Sequence, residues 1–250
     1  MSWTAPDAPA LFAALSATWP AAETAALGGW VLRRGHGGGQ RASSVWPQGD
    51  PGRPLEHAID AAEAAMRGWD QPPLFQIGAA DAALDAALAA RGYRVASPCV
   101  FLAAPAETVA AAGTGGRMVV RVRAPLALLD EFWAAGGIDP ARRAVMARAA
   151  GPKEVLIVRE DDRVAAAAFV AVHERLAVMS ALLVGDGWRR RGVGRAAVAA
   201  CAAFGAEAGA ESFALSVETA NAAARALYGG LGMVETGGYH YRAAPEEPGT

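Results

Sequence analysis

Only two cysteines, Cys99 and Cys201, occur in 250 residues, one in a stretch read as strand and one in a stretch read as helix. That excludes a disulfide framework and points to free thiols in a reducing compartment, so a cytoplasmic location is expected. Uninterrupted apolar runs long enough to cross a bilayer, about 18 residues, are missing. The first residues carry Asp7 and several prolines where an export signal would place a basic segment and then an apolar one, and no membrane association is expected. Charge of one sign is not in excess: the net charge is −2 and no long basic stretch exists, which argues against nucleic acid as a partner. The four histidines, His36, His57, His173 and His240, are scattered, and His173-Glu174 does not extend to H-E-x-x-H, so no metal site is expected. Neither a G-x-S-x-G elbow nor a Gly-Lys-Ser/Thr phosphate loop is present, which removes the α/β-hydrolase and P-loop nucleotidase classes.

What the chain has is apolar bulk, 53% of its residues and much of it alanine, and one concentrated polar motif. Residues 189–195 read RRRGVGR, directly after an apolar run at 176–184 and before an alanine-rich helical stretch at 196–208. The first amides of a helix have no intrahelical acceptor and the helix dipole adds partial positive charge, so an anion is stabilised there by several donors. Three arginines beside Gly-x-Gly would repel one another with no anion between them. Gly192, Gly194 and Ala197 fit the loose dinucleotide fingerprint, but that fold requires its glycines at once after the strand, and here 185–191 intervene.

Arg189, Gly192 and Gly194 instead satisfy R-x-x-G-x-G, which resembles the acetyl-CoA pyrophosphate loop of the GNAT superfamily of N-acetyltransferases. A second motif of that family, N-x-x-A-x-x-L-Y-x-x-x-G-[FM], is matched by Asn221, Ala224, Leu227, Tyr228, Gly232 and Met233. Asn221, Ala224 and Tyr228 then share one helical face, where one ligand can touch all three. The resemblance implies a mixed α/β sheet of the GNAT fold, with acetyl-CoA as cosubstrate and no metal.

The carboxyl half reads as a strand at 118–122, helices at 126–134 and 140–150, a hairpin of 154–159 and 164–172, a strand at 176–184, the loop and its helix, a strand at 212–217, the Asn221 helix, and a closing pair, 233–236 and 239–243, around Gly237-Gly238. The amino half reads as a worn copy, with strands at 30–33, 42–46, 74–77 and 93–102 and helices at 55–67 and 82–90. Aligning Gly92 with Gly232 places Asp81 on Asn221 and Leu88 on Tyr228, while Pro51 and Pro54 remove amide donors where the phosphate loop would be. The expectation is two tandem GNAT-like halves: a degenerate domain at 1–104 without a cofactor site, a linker at 105–116, a catalytic domain at 117–245 and a tail at 246–250.

The resemblance implies roles. Amides and guanidiniums of Arg189, Arg190, Arg191, Gly192, Val193, Gly194 and Arg195 would hold the pyrophosphate, and the main chain of Leu182, Leu183 and Val184 would pair with pantetheine along a strand edge splayed from its neighbour. Tyr228 would donate a proton to the departing thiolate; Asn221 and Ala224 would touch the cofactor, although asparagine at a helix start is also a favoured N-cap. The strand 177–184 carries no carboxylate, so the base is open: Glu218 first, His240 second, with Glu131 and His173 weaker. The strand containing Tyr239 and Tyr241 is a further candidate for the acceptor pocket. The expected acceptor is a small-molecule or peptide primary amine, and a homodimer stays open. A non-catalytic acyl-CoA binder and a transferase of longer acyl chains are the alternatives.

Overall fold

The computed structural model describes residues 3–124 and 126–245, so the tail expected at 246–250 lies outside the described residues. In chain order the elements are α1 (Ala8–Thr18), β1 (Glu23–Leu27), β2 (Trp30–Arg34), β3 (Val45–Pro47), α2 (Leu55–Gly68), β4 (Leu74–Gly78), α3 (Ala82–Ala90), β5 (Arg94–Pro105) and α4 (Ala106–Ala110). There follow β6 (Met118–Val122), α5 (Leu129–Ala134), α6 (Pro140–Arg148), β7 (Lys153–Glu160), β8 (Arg163–His173), β9 (Leu176–Val184), α7 (Val193–Glu207), β10 (Ser212–Glu218), α8 (Ala222–Gly229) and β11 (Val234–Ala243). Two compact units result, one of Met1–Pro20 with Val100–Gly237, the other of Ala21–Cys99 with Gly238–Thr250.

In the first unit the strand order is β5-β10-β9-β8-β7-β6. Strands β6 to β9 are antiparallel neighbours, and β10 runs parallel to β9. Helix α7 packs on this sheet through Ala197, Val198, Cys201 and Ala202, all buried, against strands that also carry small side chains. The alanines are what allow so close an approach: a Cβ on Gly205 would lie 2.5 Å from the Cβ of Ala177, so the helix backbone rests almost on the strand.

The first unit also contains α1, which the sequence reading left without structure. Asp7 caps it, accepting from the amide of Ala10 at 2.9 Å, and Leu11, Ala14, Leu15 and Thr18 bury one face at helical spacing. Trp19 meets Phe169 edge-on and Phe12 meets Phe101, fixing the helix against β8 and β5. Residues 105–116, expected as a connector, carry α4, whose Ala106 and Val109 are fully buried in the core of this unit.

In the second unit the order is β1-β2-β3-β4-β11, antiparallel except for β3 beside β4. Helix α2 buries Ala58, Ile59, Ala62 and Met66, and α3 buries Leu84 and Leu88, against Leu32, Val45, Phe75 and Ile77 of the sheet. The closing hairpin expected around Gly237-Gly238 is a single strand, β11. Gly237 takes φ +133°, a backbone that glycine adopts without a turn, and the strand continues through it.

Candidate functional site

Strand β9 pairs with β10 only at Leu176, Ala177 and Val178, opposite Ser212, Phe213 and Ala214. Its ladder with β8 continues to Val184. From residue 179 onward one edge of β9 therefore has no ladder partner in β10, the kind of edge to which an extended ligand adds like a strand. A bulge helps to turn the strand: Ala167 pairs with Leu183 and Phe169 with Ser180, so one extra residue stands on β9, and Ala181 takes φ +55°. Leu182, Leu183 and Val184 all lie in this segment and are half-buried.

The segment leads into a loop that folds back on itself. Asp186–Trp188 form one 3-10 turn, Arg190 takes φ +62°, and Gly192 takes φ +82° at the N-cap of α7. Alternation of hand along successive residues turns amides toward a common concavity, the geometry of an anion nest. Helix α7 starts at Val193, three residues earlier than the sequence reading placed it, and the first amide with a main-chain acceptor four residues back is that of Ala196, bonded to the Gly192 carbonyl at 3.1 Å. The amides of Val193, Gly194 and Arg195 precede it and lack such an acceptor by helix geometry.

The four guanidiniums are not equivalent. Arg189 pairs with Asp186 at 3.0 Å at the surface, and Arg191 lies over the Trp188 ring at 4.8 Å. Arg195 donates to the carbonyl of Gly230 at 3.0 Å, tying α7 to the end of α8. Arg190 is exposed. A fifth arginine, missed from the sequence, acts on the loop from β6's leading residues: Arg117 donates from Nη2 to the Arg191 carbonyl at 2.7 Å and pairs through Nε with Glu160 at 2.6 Å. No motif marks it, since the contact spans 74 residues.

Gly194 brings three elements to one point. A Cβ built on it would lie 3.3 Å from Val184 Cγ2 and 3.3 Å from Leu227 Cδ2, so the end of β9, the start of α7 and the flank of α8 converge there. On α8, Asn221 is the N-cap, its Oδ1 accepting from the Ala224 amide at 3.1 Å. Tyr228 is buried in the core cluster with Cys201, and its pKa is pushed up to about 12, by burial first and then by Cys201. The phenol therefore keeps its proton at neutral pH.

Glu218 ends β10, exposed, and its carbonyl accepts from the Asn221 amide at 3.0 Å, which places it one turn ahead of α8. Glu131 lies exposed on α5 and His173 ends β8. His240 belongs to the second unit, where its Nε2 is 2.8 Å from Asp85. Thus the loop, β9, Asn221, Ala224, Tyr228 and Glu218 stand in one unit, and His240 belongs to the other, beside a carboxylate of its own. Among the described residues no group of three or more His, Cys, Asp or Glu side chains is arranged to hold a metal ion.

Residues 126–233 match the acetyltransferase (GNAT) family. They form a GNAT domain. Across the longer chain, an uncharacterised N-acetyltransferase of Bacillus subtilis (strain 168), YobR, is 27% identical over 235 residues, covering 91% of this chain and 94% of that protein. Two solved structures share the fold. A GCN5-related N-acetyltransferase from Kribbella flavida superimposes with a TM-score of 0.67 at 17% identity, covering 95% of each chain. A tandem GNAT protein from the clavulanic acid biosynthesis pathway does so with a TM-score of 0.60 at 14% identity, covering 82% of this chain and 76% of its own. The mixed-sheet GNAT fold expected from the two motifs is the fold observed, a fold shared with a tandem GNAT protein. Among the described residues no helix is long and apolar enough to cross a membrane.

Proposed function

We propose that this GNAT protein transfers an acetyl group from acetyl-CoA to a primary amine by direct attack within a ternary complex. The observation that carries the reading is the parting of β9 from β10 after Val178 and Ala214, with the amide-rich start of α7 at the end of the freed edge. An extended pantetheine arm fits such an edge, and a pyrophosphate fits such a helix start. Residues 182–184 are assigned to the arm, and the amides of 190–195 to the phosphates, with Arg189, Arg190 and Arg191 at the rim.

In the proposed reaction the amine nitrogen attacks the thioester carbonyl, the C–S bond breaks, and the sulfur leaves as thiolate while the amine loses a proton. A resting thiol has a pKa of about 8.5, so a phenol near 12 does not hand over its proton completely to a relaxed thiolate. Its contribution is a hydrogen bond that strengthens as negative charge develops on sulfur, which is stabilisation confined to the transition state. Glu218 is the proposed acceptor of the amine proton, directly or through water. The same division assigns catalysis to 117–245 and leaves the amino-terminal half, 1–104, without a cofactor site.

A panel of amines, covering amino sugars, polyamines, amino acids and peptides, incubated with acetyl-CoA and scored by release of free coenzyme A, tests the reading. Release that depends on one class of amine supports it. Tight acetyl-CoA binding with no release above hydrolysis for any amine would favour a non-catalytic binder.

A further inference from the structure

Strands β9 and β10 are apolar through their middles, and each carries one polar side chain there. In β9, from 176 to 184, it is Ser180; in β10, from 213 to 217, it is Ser216. The parallel register ends with Val178 beside Ala214, and two residues further along each strand come Ser180 and Ser216. The two serines therefore stand level with each other just past the point where the strands part. Both are half-buried.

They also share one face of the sheet. Ala177, Met179 and Leu182 of β9 and Phe213, Leu215 and Val217 of β10 pack in the core that holds Tyr228 and the buried side of α7. By strand alternation the side chains between them turn to the opposite face. Ser212 marks that face on β10, since its Oγ accepts from Trp3 Nε1 of the amino-terminal segment at 3.0 Å. On β9, Ser180 is the cross-strand partner of Phe169, whose ring meets Trp19 at the end of α1 edge-on. Residue 218 has the parity of 212 and 216, so Glu218 turns to the same face as Ser216, two residues further along β10. Tyr228 thus lies on one side of the opening, and Ser180, Ser216 and Glu218 lie on the other.

We propose that Ser180 and Ser216 hold the attacking amine and make the site selective for primary amines, a role that rests on acetyl transfer at this site as proposed above. A neutral primary amine has two N–H bonds and one lone pair. One hydroxyl oxygen on each strand accepts one N–H bond, and the lone pair is then turned to a thioester carbonyl lying in the opening between them. A serine hydroxyl that donates to a neighbour keeps acceptor capacity on its oxygen, so bonds made within the fold do not compete with this role. As the C–N bond forms and the C–S bond breaks, one amine proton passes to Glu218 and the sulfur leaves as thiolate on the Tyr228 side. A secondary amine brings one N–H bond and an alkyl group, which leaves one of the two hydroxyl oxygens facing carbon.

The test compares Ser180→Ala, Ser216→Ala and the double variant with the native full chain, using the most active primary amine of the panel and its N-methyl derivative. Each single change is expected to lower kcat/KM for the primary amine about tenfold, as for one neutral hydrogen bond, and the double change about 10². Acetyl-CoA affinity by calorimetry should stay within about twofold, because the arm is held by main chain. The preference for the primary over the N-methyl amine should fall about tenfold in the double variant, while Ser216→Thr, which keeps the hydroxyl, should retain it. Unchanged kcat/KM, or an unchanged preference, in variants that bind acetyl-CoA normally would overturn the proposal. A loss of acetyl-CoA affinity as large as the loss of activity would also overturn it, since the serines would then serve the cofactor or the fold. No turnover by the native chain with any amine of the panel would instead refute the acetyl-transfer reading, and this role with it.

Discussion

Leu88 and Tyr228 hold the same place in two copies of one helix ending. The Leu88 carbonyl accepts from the Tyr93 amide at 3.0 Å, and the Tyr228 carbonyl accepts from the Met233 amide at 3.2 Å. In each case the residue just before that amide is a glycine at φ +81°, Gly92 in one and Gly232 in the other. The backbone of the motif is thus repeated, while the hydroxyl is replaced by an apolar side chain. The phosphate loop is not repeated: Pro54 caps α2, and the Gly52 amide is already taken by Asp50 at 2.8 Å. One acetyl-CoA per chain is therefore expected by calorimetry, and a second site of similar affinity would contradict the reading of the amino half as degenerate.

Arg117 is expected to tune the phosphate loop without taking part in chemistry. Its bond to the Arg191 carbonyl keeps that oxygen engaged and away from an incoming phosphate. Arg117→Met should weaken acetyl-CoA binding about tenfold while leaving kcat little changed, as expected for loss of one charge-assisted hydrogen bond. Titration calorimetry with steady-state kinetics on the same variant checks both halves of the statement.

Asp85 accepts from Arg242 at 2.7 and 3.1 Å and lies 2.8 Å from His240 Nε2. The Arg242 hydrogen bonds, first, and those of His240 hold its pKa down to about 2, against partial burial that raises it. A carboxylate whose folded pKa lies below its unfolded value of about 3.9 stabilises the fold at higher pH, and that contribution is lost as pH falls from about 4 to about 2. Asp85→Asn should cost about 1 kcal/mol at neutral pH, because the pair is partly screened by solvent, and nothing further below pH 2. Melting curves of both chains between pH 2 and 7 should converge at the acid end.

Glu218 can be judged as the base from the kinetics of one variant. Glu218→Gln should lower kcat/KM by about 10² at neutral pH while acetyl-CoA affinity is kept. An unchanged kcat/KM would return Glu218 to the role its main chain already has, the turn into α8.

The parts of the molecule that were legible in the sequence are those that need unusual residues. RRRGVGR and the Asn221 to Met233 motif mark a loop and a helix end because only glycine takes φ above +80° without strain, and because a cluster of arginines calls for an anion. Strand β9 was legible to the residue, being a continuous apolar run between turns. Helix α1 was not, since APALFAALSAT is apolar nearly all round and shows little contrast between faces. The bulge at Ala181 was equally invisible, because alanine carries no sign of a positive φ, and so the turning of β9 away from β10 could be inferred only through the family. Gly237-Gly238 misled in the opposite direction: a pair that commonly makes a turn here permits a strand to continue. The burial of Arg33 carried no sign in the sequence, since one of the partners that fix it, Gln76, lies 43 residues away.

The central claim is that the α7 loop and Tyr228 form one acetyl-transfer site, and Tyr228→Phe tests it most directly. The change removes a single oxygen from a side chain already packed in the core, so folding and the loop should be preserved. Acetyl-CoA affinity measured by calorimetry is predicted to stay within about twofold while turnover with the best amine falls by about 10² to 10⁴, the span for losing one proton donor. Unaltered turnover in a folded variant that binds acetyl-CoA normally would contradict the account and leave Tyr228 as a core residue.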